Sequence, residues 1–391
     1  MSAAKFGVVA SVWVCACVLV ASQSGRSAFP GTIDQHPVIS YASRPAKDRV
    51  ARMGEVLDGN FEVTSGYVRS VLAALDVPVE SQVLVFSKTG VQQAYTNPRT
   101  PRALYFNHEV VVGYIPGAPM IEVASHDPDG GVAFYSVSQD ARTPPSFTRQ
   151  PRCLTCHLSS NSLDVPGLLV RSMFTDDDGR TQPQLGSFLI DHRSPLENRW
   201  GGWYVTGTHG AMRHMGQAMN RTSLDPRVDS SFYPAATSDI VALMVFDHQA
   251  RMINLITRLG WETRIAAEEQ RLDFAHGDLR DLVREFVDYM LFVDEAPLTS
   301  PVQGVSGFTK IFAATGPRDS QGRSLRDLDL RTRLFRYPCS YMLYSAAFDG
   351  LPAAARVAVY RRMREVLQQK TPEDRNAILE ILSETKKDFE G

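Results

Sequence analysis

Three observations, read in order along the 391-residue chain, predict an α+β fold. Apolar residues alternate with a period of two between residues 82 and 137. They lose any regular period between 152 and 235, and from 238 onward they recur at helical spacing. The expected architecture is an antiparallel β-rich N-terminal part, an irregular centre and a mainly helical C-terminal part. A hydrophobic fraction of 43% with 21% charged residues suits a folded chain and excludes a disordered one. A formal net charge of −2 leaves no general electrostatic footprint for nucleic acid.

The N-terminal part, residues 46–150, begins with two short helices. Residues 46–57 place Val50, Met53 and Leu57 on one face before Gly59, and Thr64 is a candidate cap for Tyr67, Val68, Val71, Leu72 and Leu75. A meander of about five strands follows. Its runs are Val83-Leu84-Val85-Phe86, Ala103-Leu104-Tyr105-Phe106, Val110-Val111-Val112 and the segments 120–123 and 132–137. Turn signals separate them at Thr89-Gly90, Pro116-Gly117 and Asp127-Pro128-Asp129-Gly130. Residues 141–151 read as a connector.

The central region, 151–237, offers short strands at 168–174, 187–190 and 203–206. In the helical region, 238–391, Ser238 or Asp239 opens a long helix whose apolar face carries Val241, Met244, Val245, His248, Met252, Leu255, Ile256 and Leu259. Further helices are expected over 279–293 and 351–367, and from Thr371-Pro372-Glu373-Asp374 onward, where Pro sits in the first turn. No internal repeat is present.

The N-terminus carries an address. Lys5 precedes 16 apolar residues, 6–21, and small or polar residues follow. Residues 1–22 therefore read as a secretory signal peptide with Val20-Ala21-Ser22 as the cleavage signature. An uncleaved anchor is the alternative, although a membrane span needs about 20 residues. No later stretch is long and apolar enough to cross a membrane. Residues 23–45, rich in Ser, Pro and Gly, read as a flexible leader. Of the five cysteines, Cys15 and Cys17 leave with the signal peptide, so the exported chain keeps Cys153, Cys156 and Cys339.

Two of those three define the motif that carries chemistry. Cys153-Leu154-Thr155-Cys156-His157 is C-x-x-C-H, the attachment sequence for haem c. The spacer sets two thiols on one short turn for the two vinyl groups of the porphyrin. The next residue then offers an imidazole to the iron as proximal ligand. This composition supplies about 0.0015 such matches by chance. Such haem is attached outside the cytoplasm, which agrees with export, in the periplasm of a bacterium. Two other uses of these residues stay open: a zinc site made by Cys153, Cys156 and two histidines, and a thioredoxin-like disulfide.

The motif resembles c-type cytochromes, tightly at residues 153–157 and loosely through Val165-Pro166-Gly167-Leu168. The resemblance implies that the Pro166 carbonyl receives the second imidazole nitrogen of His157. Segments 83–88, 199–215 and 334–344 are similar to an exported bacterial family of c-type cytochrome-like proteins with no assigned reaction.

A second axial ligand would favour electron transfer, and an open position would favour chemistry on a small molecule. Met215 is the first candidate, followed by His209 and His214 in Thr208-His209-Gly210-Ala211-Met212-Arg213-His214-Met215, and then His248. Arg193, Arg199 and Trp203 are candidates for the haem surroundings, the arginines as propionate partners. The expected function is one-electron transfer by a mono-haem protein with an unidentified redox partner protein. The alternatives are a haem enzyme of peroxidase or oxidase type with an open sixth site, and a zinc-stabilised binding module. Arginines 323–336, interleaved with Asp327 and Asp329, are expected to form a salt-bridged surface. Asp176-Asp177-Asp178-Gly179 is expected to be a turn, and Cys339 a buried free thiol.

Overall fold

Period-two alternation builds the centre of the molecule. A computed structural model describes residues 30–54, 56–218 and 225–389, and within these the fold is α+β. Strands β1 (Val83–Val85), β2 (Arg102–Phe106), β3 (Val110–Tyr114), β4 (Met120–Asp127), β5 (Gly131–Ser138) and β6 (Phe147–Arg149) form one antiparallel sheet in sequential order. The expected meander lacked β6, which lies in the stretch read as a connector. Phe147 is buried there, and the segment closes the sheet through the pairs Tyr135↔Arg149 and Val137↔Phe147.

Because successive side chains alternate, the sheet feeds two cores. Leu84, Tyr105, Val112, Ile121 and Val137 face helix α2 (Val68–Ala74), together with Val68, Val71 and Leu72. Val83, Val85, Phe106, Val111, Val132 and Phe134 face the opposite way, toward the 29-residue helix α4 (Ile240–Glu268). Helix α1 (Arg49–Met53) is shorter than the expected 46–57, because Gly54 leaves helical geometry at φ +96°. Its start is capped by Asp48, whose carboxylate accepts from the amide of Val50 at 2.8 Å.

Helix α4 opens at Asp239, which accepts from the amides of Val241 and Ala242. The sheet covers one side of it. Helices α5 (Gly277–Met290), α6 (Phe308–Ala314), α7 (Ala346–Asp349) and α8 (Ala353–Leu367) pack on the others, and α9 (Pro372–Thr385) adds Ile378, Ile381 and Leu382 to the same core. Burial on every side explains why α4 carries polar residues that bond inward. Gln249, for example, bridges the carbonyl of Asn107 and the hydroxyl of Tyr341.

The central region holds one turn of helix, α3 (Leu154–His157), the hairpin β7 (Arg171–Met173) with β8 (Ser187–Leu189), and a short parallel pair β9 (Tyr204–Val205) with β10 (Gln217–Ala218). Asp176 closes the expected turn by accepting from the amides of Asp178 and Arg180. Cys339 is buried and unpaired, and burial pushes its thiol up to about 12.

One expectation is corrected. The described part of the leader, 30–45, is packed rather than flexible. Ile39 and Tyr41 are buried against Val165, Trp261 and Ile265, and the Tyr41 hydroxyl donates to the carbonyl of Val132 at 2.7 Å. Ile33 and Val38 pack against the same cluster, and Arg44 pairs with Asp129 at 2.9 Å, so apolar burial and an ion pair together anchor the segment. The signal peptide, 1–22, lies outside the described residues. Among the described residues no helix is long and apolar enough to cross a membrane.

Candidate functional site

Pro151 starts a 3-10 turn through Cys153, and α3 continues it without a break to His157. Residues three apart on such a turn share a face, so Cys153 and Cys156 stand together. Both are free thiols; Cys153 is half-buried and Cys156 exposed. Burial, aided by the charge of Glu122, raises the Cys153 thiol above its ordinary value. The chain after His157 folds back at once. Ser159 and Ser162 form a reciprocal capping box, and the His157 carbonyl accepts from the Gly167 amide at 2.9 Å.

That return places the Gly167 carbonyl 2.8 Å from Nδ1 of His157. A carbonyl can only accept, so the proton sits on Nδ1 and Nε2 keeps its lone pair. Among the described residues Nε2 has no hydrogen-bond partner. Burial lowers the pKa of the ring, which favours the neutral, ligating form. The expected carbonyl was that of Pro166. The structure gives the role to its neighbour, because the Pro166 carbonyl is turned the other way to accept from Val132 at 2.9 Å.

Gly167 is required at this position. A Cβ there would lie 2.2 Å from Oδ1 of Asn254 on α4. Asn254 grips the next residue twice, accepting from the Leu168 amide and donating to its carbonyl, both at 2.8 Å. The imidazole is thus tied through one carbonyl to the most buried helix of the fold.

The Phe134 ring lies beside the imidazole, with centroids 4.9 Å apart. Next to it the sheet is incompletely covered. On β2 and β4, Ala103, Tyr105, Ile121 and Val123 are buried under α2, while Arg102, Leu104, Met120, Glu122 and Ala124 on the opposite face are half-exposed. Arg102 and Glu122 pair across this strip at 3.2 Å, and Arg152, next to Cys153, reaches the Met120 sulfur at 3.6 Å. The strip combines apolar surface with one ion pair close to the thiol of Cys153 and the imidazole of His157. None of these strand residues, nor Gly167 or Asn254, was singled out from sequence; the only signal was the alternation itself.

The other expected site residues lie elsewhere. No hydrogen bond, ion pair or ring contact joins any of them to Cys153, Cys156 or His157 among the described residues. His248 is fully buried, with Nδ1 2.9 Å from Nδ1 of His192 and Nε2 2.7 Å from the Ser340 hydroxyl, so neither nitrogen is available to iron. Burial pushes its pKa down to about 3. Arg193 pairs with Asp191 at 2.9 Å and lies over the Tyr289 ring. Arg199 is buried, donates to the carbonyls of Ser194 and His192, and faces Asp247 at 3.5 Å. Trp203 is in the core and donates to the Arg171 carbonyl at 2.8 Å. These three brace the central region.

Met215 has its sulfur 3.5 Å from the Ser172 hydroxyl, and His209 and His214 touch each other. Among the described residues no three His, Cys, Asp or Glu side chains gather as a metal group, so the zinc reading lacks its two histidines beside the thiols. Comparison of the chain with protein-family models, with curated proteins and with solved structures finds no match.

Proposed function

We propose that the chain is an exported mono-haem c-type cytochrome that carries single electrons. The observation behind this reading is the pairing of two free thiols on one turn with an imidazole whose Nδ1 is committed to Gly167. Cys153 and Cys156 would hold the haem, each S–H adding across one vinyl group, and His157 would present Nε2 to the iron. The bound group supplies a one-electron Fe(III)/Fe(II) couple. The chain's own part would be to hold the imidazole in one tautomer, with the Phe134 ring packed beside it at 4.9 Å. A backbone acceptor on Nδ1 also raises ligand basicity, a recurrent device at metal-bound histidines.

A second reading, a haem enzyme with an open sixth position, is favoured by one observation. Among the described residues, none of Met215, His209, His214 and His248 makes a hydrogen bond or ring contact with the motif, and His248 has both ring nitrogens engaged elsewhere. Optical and EPR spectra of protein exported to a bacterial periplasm separate the readings. A covalently retained haem with a low-spin ferric centre supports the carrier. A high-spin centre that reacts with peroxide supports the enzyme. Colourless protein with two titratable thiols overturns both.

A further inference from the structure

We infer that Arg326 and His108 form a binding site for one monoanionic carboxylate, independent of the haem reading. Arg326 is half-buried in an apolar corner. Its guanidinium carbon lies 4.8 Å from the ring centroid of Phe312 and 4.5 Å from that of Tyr341, and these two rings stand at 85° to each other. The stem of the side chain is held as well. Gly316, at φ +89°, lets the backbone pass close by, where a Cβ would lie 3.1 Å from both Cδ and Nε of Arg326. Among the described residues the guanidinium has no hydrogen-bond or ion-pair partner, although it carries five N–H donors.

His108 supplies the second donor. The turn that carries it is pinned to the same corner, because Gln249 donates to the Asn107 carbonyl at 2.7 Å and accepts from the Tyr341 hydroxyl at 2.6 Å. The Asn107 side chain fixes the turn from within by accepting from the amides of Glu109 and Val110. The His108 ring is half-buried and has no hydrogen-bond partner among the described residues. Burial, aided by the charge of nearby Arg326, pushes it below its ordinary value. The ring is therefore neutral near pH 7 and keeps one N–H to donate.

Charge selects the ligand. Taking a guanidinium part-way out of water without a counter-anion costs more than ring contacts return. The carboxylates next to these two residues in sequence are already engaged, Asp327 by Arg318 at 3.1 Å and Glu109 by Arg52 at 3.3 Å. Arg49, the other cation near His108, is paired with Asp76. The surplus is thus the single positive charge of Arg326. A monoanion neutralises it, whereas a dianionic phosphate would bring a second negative charge with no cation to meet it. A planar carboxylate also matches the guanidinium fork with two parallel N–H···O bonds.

The test is a titration of the exported, nitrogen-15-labelled protein with sodium acetate, followed by NMR at the Arg326 Nε–H and the His108 ring. Acetate should shift both signals to saturation, and sodium chloride at equal ionic strength should leave them in place. This readout needs no variant, so it stands if a substitution fails to fold. Arg326→Lys keeps the charge but loses the fork, and should weaken acetate binding about tenfold. Arg326→Leu should abolish binding with an unchanged far-UV spectrum. A tripeptide with a free C-terminus and its C-terminal amide distinguish the source of the carboxylate. Tighter binding of the free peptide than of acetate, with none by the amide, assigns it to a chain end; equal binding of peptide and acetate assigns it to a small free acid. No saturable shift, an equal response to chloride, tighter binding of phosphate than of acetate, or acetate binding that survives Arg326→Leu overturns the site. A shift at Arg326 that leaves His108 unmoved overturns it equally.

Discussion

The Nδ1 atom of His157 lies 2.8 Å from the carbonyl oxygen of Gly167, and Asn254 holds the following residue, Leu168, from both sides of its backbone. One helix side chain thereby sets the tautomer and direction of an imidazole on a distant loop. Removing it leaves a buried amide and a buried carbonyl unpaired. Asn254→Ala should cost about 2–4 kcal/mol in urea unfolding. A loss below about 1 kcal/mol would show that the clamp is replaceable by water.

Gly167→Ala tests the same clamp from the other side. The added methyl meets Oδ1 of Asn254 at 2.2 Å, so one of them must move. Urea unfolding of the single and double variants should show that Gly167→Ala costs less when Asn254 is already Ala. The coupling should be about 1–2 kcal/mol, and strict additivity would mean that the loop absorbs the methyl elsewhere.

Asp247 gives a pH-dependent signature. It is fully buried, receives Trp200 Nε1 at 3.0 Å, and desolvation pushes its carboxyl up to about 7 despite Arg199. The folded pKa is above the unfolded one, so the folded state holds the extra proton between the two values. Stability from this group is present below about 3.8 and is lost as pH rises toward about 7. Asp247→Asn removes that dependence. The stability of the variant relative to wild type should therefore rise between pH 4 and pH 7, by up to about 4 kcal/mol. Chemical denaturation at several pH values reads it, and parallel curves would place the titration elsewhere.

Buried histidines act in the opposite sense. His126 and His214 are pushed down to about 4 and His248 to about 3, chiefly by desolvation. The unfolded chain takes their protons first, so their contribution is lost as pH falls from about 6.5 through these values. Replacing His126, whose Nε2 lies 3.3 Å from the Thr257 hydroxyl, by Gln should flatten the acid limb of the stability curve. An unchanged acid limb would assign it to the other histidines.

The packed leader gives a fourth handle. Tyr41→Phe removes only the hydrogen bond to Val132 and should cost about 1 kcal/mol, whereas Tyr41→Ala also empties a site beside Trp261 and should cost about 3–5 kcal/mol. Thermal melts that ignore both changes would mean the segment is not packed in solution.

The arginine-rich stretch divides along lines that spacing alone does not draw. Arg318, Arg323 and Arg333 pair with Asp327, Asp319 and Asp374, as a salt-bridged surface requires. Arg326 instead lies over the rings of Phe312 and Tyr341, at 4.8 and 4.5 Å, with no carboxylate partner among the described residues. Its replacement by Leu should lower stability by about 1–2 kcal/mol in a way that added salt barely changes. A loss that salt erases would point to a surface ion pair.

Local signals were legible wherever neighbours in sequence are neighbours in space. The strand alternation of 82–137, the Asp239 and Thr371 helix starts and the C-x-x-C-H turn all belong to this class. The roles of His248, Arg193, Arg199 and Trp203 did not, because an apolar helix face or a Trp-Gly-Gly-Trp run has the same pattern whether it meets a cofactor or a core. His248 meets Ser340, 92 residues away, and Trp203 meets Arg171, 32 residues away.

By itself, the sequence determined the α+β class, the strand order and the close grouping of Cys153, Cys156 and His157, since hydrophobic period and a two-residue spacer act within one element. Only the tertiary structure decided which carbonyl holds the imidazole, which sheet face stays open beside it, and that the leader is part of the core. Each of those depends on a partner from another element, such as Asn254 on α4 or Val132 on β5. Burial of one long helix against both sheet and bundle is what brings those partners together.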